Sequence, residues 1–158
     1  RETGVYDAHG SDGGAAAGRV SYLFGLKGPC LGVNTACSSS LVALDSAAQS
    51  LRRACCEQAI VCGVCLLLHP SSFGALCALH ALSPNGQCKT FDGRADGYGR
   101  GEACGALTLE FSVDASAAKP GAVQIHGTSV NQDGRSSSFM APHGPSQESL
   151  VRAAMQSQ

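Results

Sequence analysis

Apolar positions recur three and four apart over Ala15, Ala16, Val20, Leu23 and Phe24, which predicts a helix. Ser11 or Asp12 supplies its N-cap, and Gly25 with Gly28-Pro29 stops it. Residues 30–33 are short, apolar and bounded by Gly, the pattern of a buried strand. A second helical stripe, Leu41, Leu44, Ala48 and Leu51, predicts a helix from Cys37 to about Arg53, with Arg52 and Arg53 where the negative end of the helix dipole favours cations. Residues 59–68 are almost continuously apolar and predict a strand covered on both faces. Strand, helix, strand in this order predicts a βαβ unit with parallel pairing. Residues 70–89 read as irregular, and residues 91–101 as a glycine-rich loop with special backbone angles. Strands are predicted at 103–111 and 122–130, with a short helix between Asp114 and Gly121. A polar loop follows over 131–145, and then a last helix.

Composition narrows the class. A formal net charge of −1 gives no field that would draw nucleic acid or an anionic membrane surface. Trp is absent and aromatic residues are few, so stacking platforms for bases or sugars are missing. The chain is rich in Gly and Ala and poor in charge, which suits a packed α/β interior. No apolar run approaches the roughly 20 residues that span a bilayer. The nine cysteines are an odd number without a signal peptide, and several sit in apolar runs (Cys62, Cys65, Cys104). They are expected to be mostly buried free thiols in a reducing, intracellular compartment, the cytoplasm. Arg1 opens without an initiator Met, and residues 147–158 read as a helix with no C-cap signal. The expectation is an internal fragment truncated at both ends, with 1–158 forming part of one domain.

The candidate chemistry centres on Cys37. In Gly32-Val33-Asn34-Thr35-Ala36-Cys37-Ser38-Ser39-Ser40-Leu41 an apolar segment ends, small residues surround a thiol, and an amphipathic helix begins. A cysteine at the mouth of a helix meets the positive end of the dipole, which favours thiolate over thiol. The layout is a nucleophile elbow with sulfur in place of a serine oxygen, and it points to covalent acyl chemistry.

The run Thr35 to Leu41 resembles the active-site signature of β-ketoacyl synthases. Phe91-Asp92, Ala95-Asp96-Gly97 and Arg100-Gly101-Glu102 resemble a second signature of that family. Val130-Asn131-Gln132-Asp133-Gly134-Arg135, with Ala141-Pro142 and Gly144-Pro145, resembles a third, in the form seen in modular polyketide synthases. The lead-in, Ala17 to Tyr22 and Phe24 to Pro29, fits as well, so the likeness covers nearly the whole chain in order. The resemblance implies a thiolase-like layered α/β fold of which this is mostly the first, N-terminal half. It implies that Cys37 accepts an acyl group, with its backbone N–H contributing to an oxyanion hole, and that decarboxylative Claisen condensation with a malonyl-type extender follows. It implies no directly bound cofactor and no metal. Substrates arrive on the phosphopantetheine of an acyl carrier protein, beside neighbouring synthase domains, in a homodimeric parent. The two histidines that the family uses for decarboxylation fall beyond Gln158.

Other readings compete. A fatty-acid-type ketoacyl synthase, or a non-elongating acyl-binding or transacylating relative, shares the elbow. Ile125-His126-Gly127-Thr128 imitates a histidine motif, but it runs straight into the 130–135 signature, so His126 is expected to be an ordinary strand residue. Cys62 and Cys65 point to opposite faces of a strand, which spoils chelation. Cys55-Cys56 is expected to be structural. The 92–97 run lacks calcium-loop spacing, and Gly97, Gly99 and Gly101 do not match a dinucleotide fingerprint. Asp92, Asp96, Arg100 and Glu102 are expected to form internal ion pairs and turns that brace the floor of the site. His9, His69, His80 and His143 have no assigned role. Asn34 stands where the family usually carries Asp, and Ser137 to Met140 with His143 depart from its usual loop.

Overall fold

The computed structural model describes residues 4–114 and 120–157, so the core of the short helix predicted between Asp114 and Gly121 lies outside the described residues. Helix α1 is Asp7–Ser11 and α2 is Gly13–Phe24. The Asp12 carboxylate accepts the Gly14 N–H at 2.9 Å, the predicted cap, worth about 1 kcal/mol. Gly25, at φ +65°, closes α2 in the left-handed region while Leu26 N–H reaches back to the Ser21 carbonyl at 2.9 Å.

A 3-10 turn, Ala36–Ser38, leads into α3, Ser39–Arg52. Of the predicted stripe on α3, Leu51 is buried, Leu44 and Ala48 are half-buried, and Leu41 is exposed. Strand β1 is Gln58–Cys65 and stops short of the predicted limit at residue 68. Helix α4, Ser71–Ala78, occupies part of the stretch that read as irregular. Strand β2 is Ala103–Glu110, and α5 is Gly144–Gln156, with Pro in its first turn.

The βαβ expectation is overturned. Residues 30–33 form no strand, and β1 pairs with β2 in a two-stranded sheet. A strand exists only through a ladder partner, and residues 30–33 have none among the described residues; Leu31 is 65% exposed. Double-sided burial of β1 is overturned too, because among the described residues no second layer covers it. Val61 is buried, while Ile60 and Val64 remain 43% and 62% exposed.

The predicted strand at 122–130 is likewise absent. Its backbone lies against the end of α5 instead. A Cβ at Gly127 would collide with the Ala154 carbonyl and come within 2.5 Å of Ser157 Oγ, and Ser157 Oγ donates to the Thr128 carbonyl at 3.3 Å.

By contacts the chain divides into two units. One comprises Arg1–Val61 and Leu107–Gln158, and carries Cys37. The other is Cys62–Ala106.

Candidate functional site

Cys37 occupies the middle of the 3-10 turn at the head of α3, and its side chain is exposed. The residue before it, Ala36, has φ +58°. A side chain in that region costs about 1–2 kcal/mol, and such strain persists only where the surroundings enforce it. Four short side chains do so. Asn34 Oδ1 accepts the Ala36 N–H at 3.2 Å. Ser39 Oγ accepts the Thr35 N–H at 2.9 Å and donates to the Ala36 carbonyl at 2.6 Å. Ser38 Oγ donates to the Thr35 carbonyl at 2.9 Å and meets Thr35 Oγ1 at 2.8 Å. At about 1 kcal/mol net for each hydrogen bond, the cluster offsets the strain at Ala36. The opening amides of such a turn lack acceptors within its own ladder. The result is an exposed thiol on a sharp, locally braced bend at the head of α3.

The second motif is organised within residues 62–106. Ser83 is buried; its hydroxyl lies 2.8 Å from Asp96 Oδ1 and 2.6 Å from Asn85 Oδ1. One hydroxyl proton serves one acceptor at a time, and the charged carboxylate is the stronger. Lys89 Nζ pairs with Asp96 Oδ2 at 2.6 Å, and this ion pair, then the Ser83 hydroxyl, hold the Asp96 carboxyl below the usual range. Asp92 is held low by the Arg94 guanidinium, 2.7 Å away, and by the Arg94 backbone N–H. Glu102 Oε1 accepts the Leu67 N–H at 2.6 Å, and Arg100 sets its guanidinium 5.4 Å from the centre of the Phe73 ring. The expected ion pairs form at Asp92 and Asp96, while Arg100 stacks and Glu102 holds a backbone amide.

The third motif frames the start of α5. Asn131 Nδ2 donates to the Ser146 carbonyl at 2.8 Å, and Asp133 Oδ2 accepts the His143 N–H at 3.1 Å. His143, left without a role by the sequence, is the N-cap residue of α5, and its Nδ1 lies 2.8 Å from Ser146 Oγ. His126 is exposed in the irregular segment 122–130 rather than on a strand. The loop 132–142 walls an open groove of about 650 Å³, and a shallower one of about 410 Å³ runs along α5 beside Glu148 and Arg152. Cys37 lines neither, so the thiol is presented on the elbow rather than inside one of these grooves.

Burial of the remaining cysteines is overturned. Cys30, Cys55, Cys62, Cys65, Cys77, Cys88 and Cys104 are exposed like Cys37, and Cys56 is half-buried. The cause is the same as for β1: among the described residues the apolar faces that carry them have no covering layer. Exposure therefore does not single out Cys37, and neither does the positive φ of the residue before it, which Ala54 repeats before Cys55; its place in the 3-10 turn at the head of α3 does. The contribution of Ser39 was missed by sequence reasoning, and the run of hydroxyl residues 38–40 was the available signal. Among the described residues no group of three His, Cys, Asp or Glu side chains is gathered for a metal, and no helix is long and apolar enough to cross a membrane.

Residues 1–115 match the sequence family described as beta-ketoacyl synthase, N-terminal domain. The chain is 45% identical over 147 residues to the spectinabilin polyketide synthase system protein NorA' of Streptomyces orinoci, covering 92% of this chain and 4% of that protein. It is 44% identical over 151 residues to the polyketide synthase GfsE of Streptomyces halstedii, covering 95% of this chain and 4% of that protein. The ketosynthase from module 6 of the bacillaene synthase of Bacillus subtilis 168 superposes with a TM-score of 0.84 at 37% identity, over 99% of this chain and 29% of that one. The chain thus spans only a small part, 4%, of each of those two curated relatives. The mixed helix and strand architecture is that of the thiolase-like ketosynthase domains, as the sequence motifs implied.

Proposed function

Because this chain belongs to the β-ketoacyl synthase family, we propose that its parent is a polyketide synthase in which Cys37 carries the growing acyl chain. The observation that carries this reading is the strained elbow that presents Cys37 at the head of α3. In the first half-reaction the Cys37 sulfur attacks the carbonyl carbon of an acyl thioester held on the phosphopantetheine of a carrier protein. The new C–S bond forms, the oxyanion collapses, and the carrier thiolate leaves and takes up a proton. Backbone N–H groups of the turn, that of Cys37 among them, stabilise the oxyanion. In the second half-reaction a malonyl-type extender loses CO2, and its electron pair attacks the acyl carbon and expels the Cys37 thiolate. The family resemblance assigns the decarboxylation to two histidines, and His126 is not read as one of them. In this reading the parent is a homodimer that works with neighbouring synthase domains and a carrier protein in the cytoplasm.

The test is acyl loading of the intact parent from an acyl carrier-protein thioester, read by peptide mass spectrometry. The acyl mass is expected on the peptide containing Cys37, and it disappears in Cys37→Ala. Acylation of a different cysteine, or none, overturns the reading. Loading without product after malonyl carrier protein is added would favour the non-elongating relative over a condensing enzyme.

A further inference from the structure

We propose that Ser39 is a positioning residue for acyl transfer: its hydroxyl locks the left-handed backbone of Ala36 and so aligns the amide of Cys37 with the developing oxyanion. The inference rests on the reading of Cys37 as the acyl acceptor.

Ser39 Oγ is the one side-chain atom among the described residues that bridges both sides of the strained residue. It accepts from the Thr35 N–H at 2.9 Å and donates to the Ala36 carbonyl at 2.6 Å. The Ser39 backbone N–H also closes on that carbonyl, so Ala36 C=O is pinned twice by the same residue. That carbonyl belongs to the peptide unit whose N–H is the Cys37 amide. Because the peptide is planar, fixing its oxygen fixes the direction of the Cys37 N–H. Asn34, Thr35 and Ser38 engage the Ala36 amide and Thr35, on the other side of the Ala36 Cα. Ser39 alone among these side chains holds the plane that carries the oxyanion donor. Ser39 touches no reacting atom; its effect travels through that plane.

This role makes a selective forecast. Alkylation of a thiol by iodoacetamide forms no oxyanion, so it does not depend on the aim of the amide. Acyl transfer does, and losing one oriented donor typically costs about 100-fold or more in rate. Partial misalignment should cost about 10-fold or more.

The experiment uses the intact parent, loaded with an acyl N-acetylcysteamine thioester as the acyl donor. Ser39→Ala is expected to load Cys37 at least about 10-fold more slowly while iodoacetamide alkylation of Cys37 changes by less than about 3-fold, and Ser39→Thr, which keeps the hydroxyl, restores loading. If Ser39→Ala does not fold, the double variant Ala36→Gly/Ser39→Ala replaces it. Glycine accepts the left-handed backbone without the clamp yet leaves the peptide plane free, so the same selective loss is expected. Loading within about 2-fold of wild type, or loading and alkylation falling together, overturns the role of Ser39. Wild-type parent that alkylates at Cys37 but never loads acyl overturns the function proposed for Cys37, and the Ser39 proposal with it.

Discussion

Gly97→Ala is expected to open the fold of residues 62–106 from within. Gly97 has φ +131°, a region open essentially to glycine alone. An added Cβ would run into the Ser83 backbone nitrogen and lie 2.5 Å from the Leu82 carbonyl carbon. Both are backbone atoms of the segment bridged to Tyr98, so neither can swing aside as a side chain would. The strained dihedral costs about 1–3 kcal/mol and the overlap about 1–3 kcal/mol more, so the sum is about 2–6 kcal/mol. Set against the roughly 5–15 kcal/mol that stabilises an ordinary domain, that is enough to populate local opening. Gly25 is the control. It also lies in the left-handed region, at φ +65°, but its Cβ would meet nothing within 4 Å. Gly25→Ala should therefore cost only about 1 kcal/mol. A multidomain parent does not unfold in two states, so a global melting curve would mislead. The assay is amide hydrogen exchange of the intact parent, followed on peptides covering residues 81–99. The hydrogen bonds Ser83 N–H to Tyr98 O, at 3.0 Å, and Tyr98 N–H to Ala81 O, at 3.1 Å, are the reporters. Gly97→Ala should speed their exchange at least about 30-fold, the equivalent of about 2 kcal/mol. Exchange within about 2-fold of wild type, or no faster than the exchange that Gly25→Ala induces around its own helix end, would refute the close-approach argument.

Acid should loosen the same unit. The Asp96 carboxyl is lowered in the folded state, by Lys89 first and Ser83 second, so its contribution is present above the ordinary Asp value near 3.9 and fades as pH falls through the lower folded value. Protection of residues 81–99, exchange taken relative to the intrinsic amide rate at each pH, is expected to fall more steeply on acidification in wild type than in Asp96→Asn; parallel pH profiles would count against the pair. In the intact parent, limited iodoacetamide treatment should mark Cys37 before Cys55 or Cys88, measured as peptide adduct against time, and the reverse order would undermine the elbow argument. The isolated 158 residues are expected to give no condensation product with acyl and malonyl carrier proteins, by thin-layer or mass detection; robust product would show that the decarboxylating groups lie within this sequence.

Local hydrogen-bonding chemistry was legible in the sequence, and pairing and covering were not. Asp12 reads as a cap and acts as one, and Gly25 reads as a stop and adopts the left-handed angle. Yet α3 and α4 end in the same way at Ala54, φ +55°, and His80, φ +52°, where no glycine announces it. There Cys55 N–H reaches Ser50 O at 2.9 Å, and Ala81 N–H reaches Leu76 O at 3.0 Å. The backbone closes each helix with those bonds and bears the cost of a side chain at positive φ. Helix α4 was hidden because Pro70, Ser71, Ser72 and Gly74 together suggest a loop, whereas Pro70 merely precedes the first turn. The strands predicted at 30–33 and 122–130 failed for one reason: an apolar run states that a segment wants cover, not which backbone will provide it. For 122–130 the answer was the end of a helix, and Gly127 was its only trace in the sequence.

The same distinction explains why the turn around Cys37 is set locally where the packing expectations failed. Everything that shapes Cys37 comes from residues 34–39: a carboxamide, three hydroxyls and one strained alanine, joined by bonds no more than four residues long. Such an element needs no core to define its backbone. By contrast Leu51 and Val61 are the buried apolar residues among those described, while Leu41, Ile60, Val64 and Leu107 stay open. At about 25 cal/mol per Å² of apolar surface, two buried side chains contribute only a few kcal/mol, far less than ordering the chain costs. The elbow can therefore be specified by local sequence, but holding it still enough for acyl transfer requires apolar cover for α3 and β1 from surfaces that the described residues do not provide. This is why the loading, labelling and exchange experiments belong on the intact parent, and why the isolated chain is expected to retain the thiol while losing the precision of its presentation.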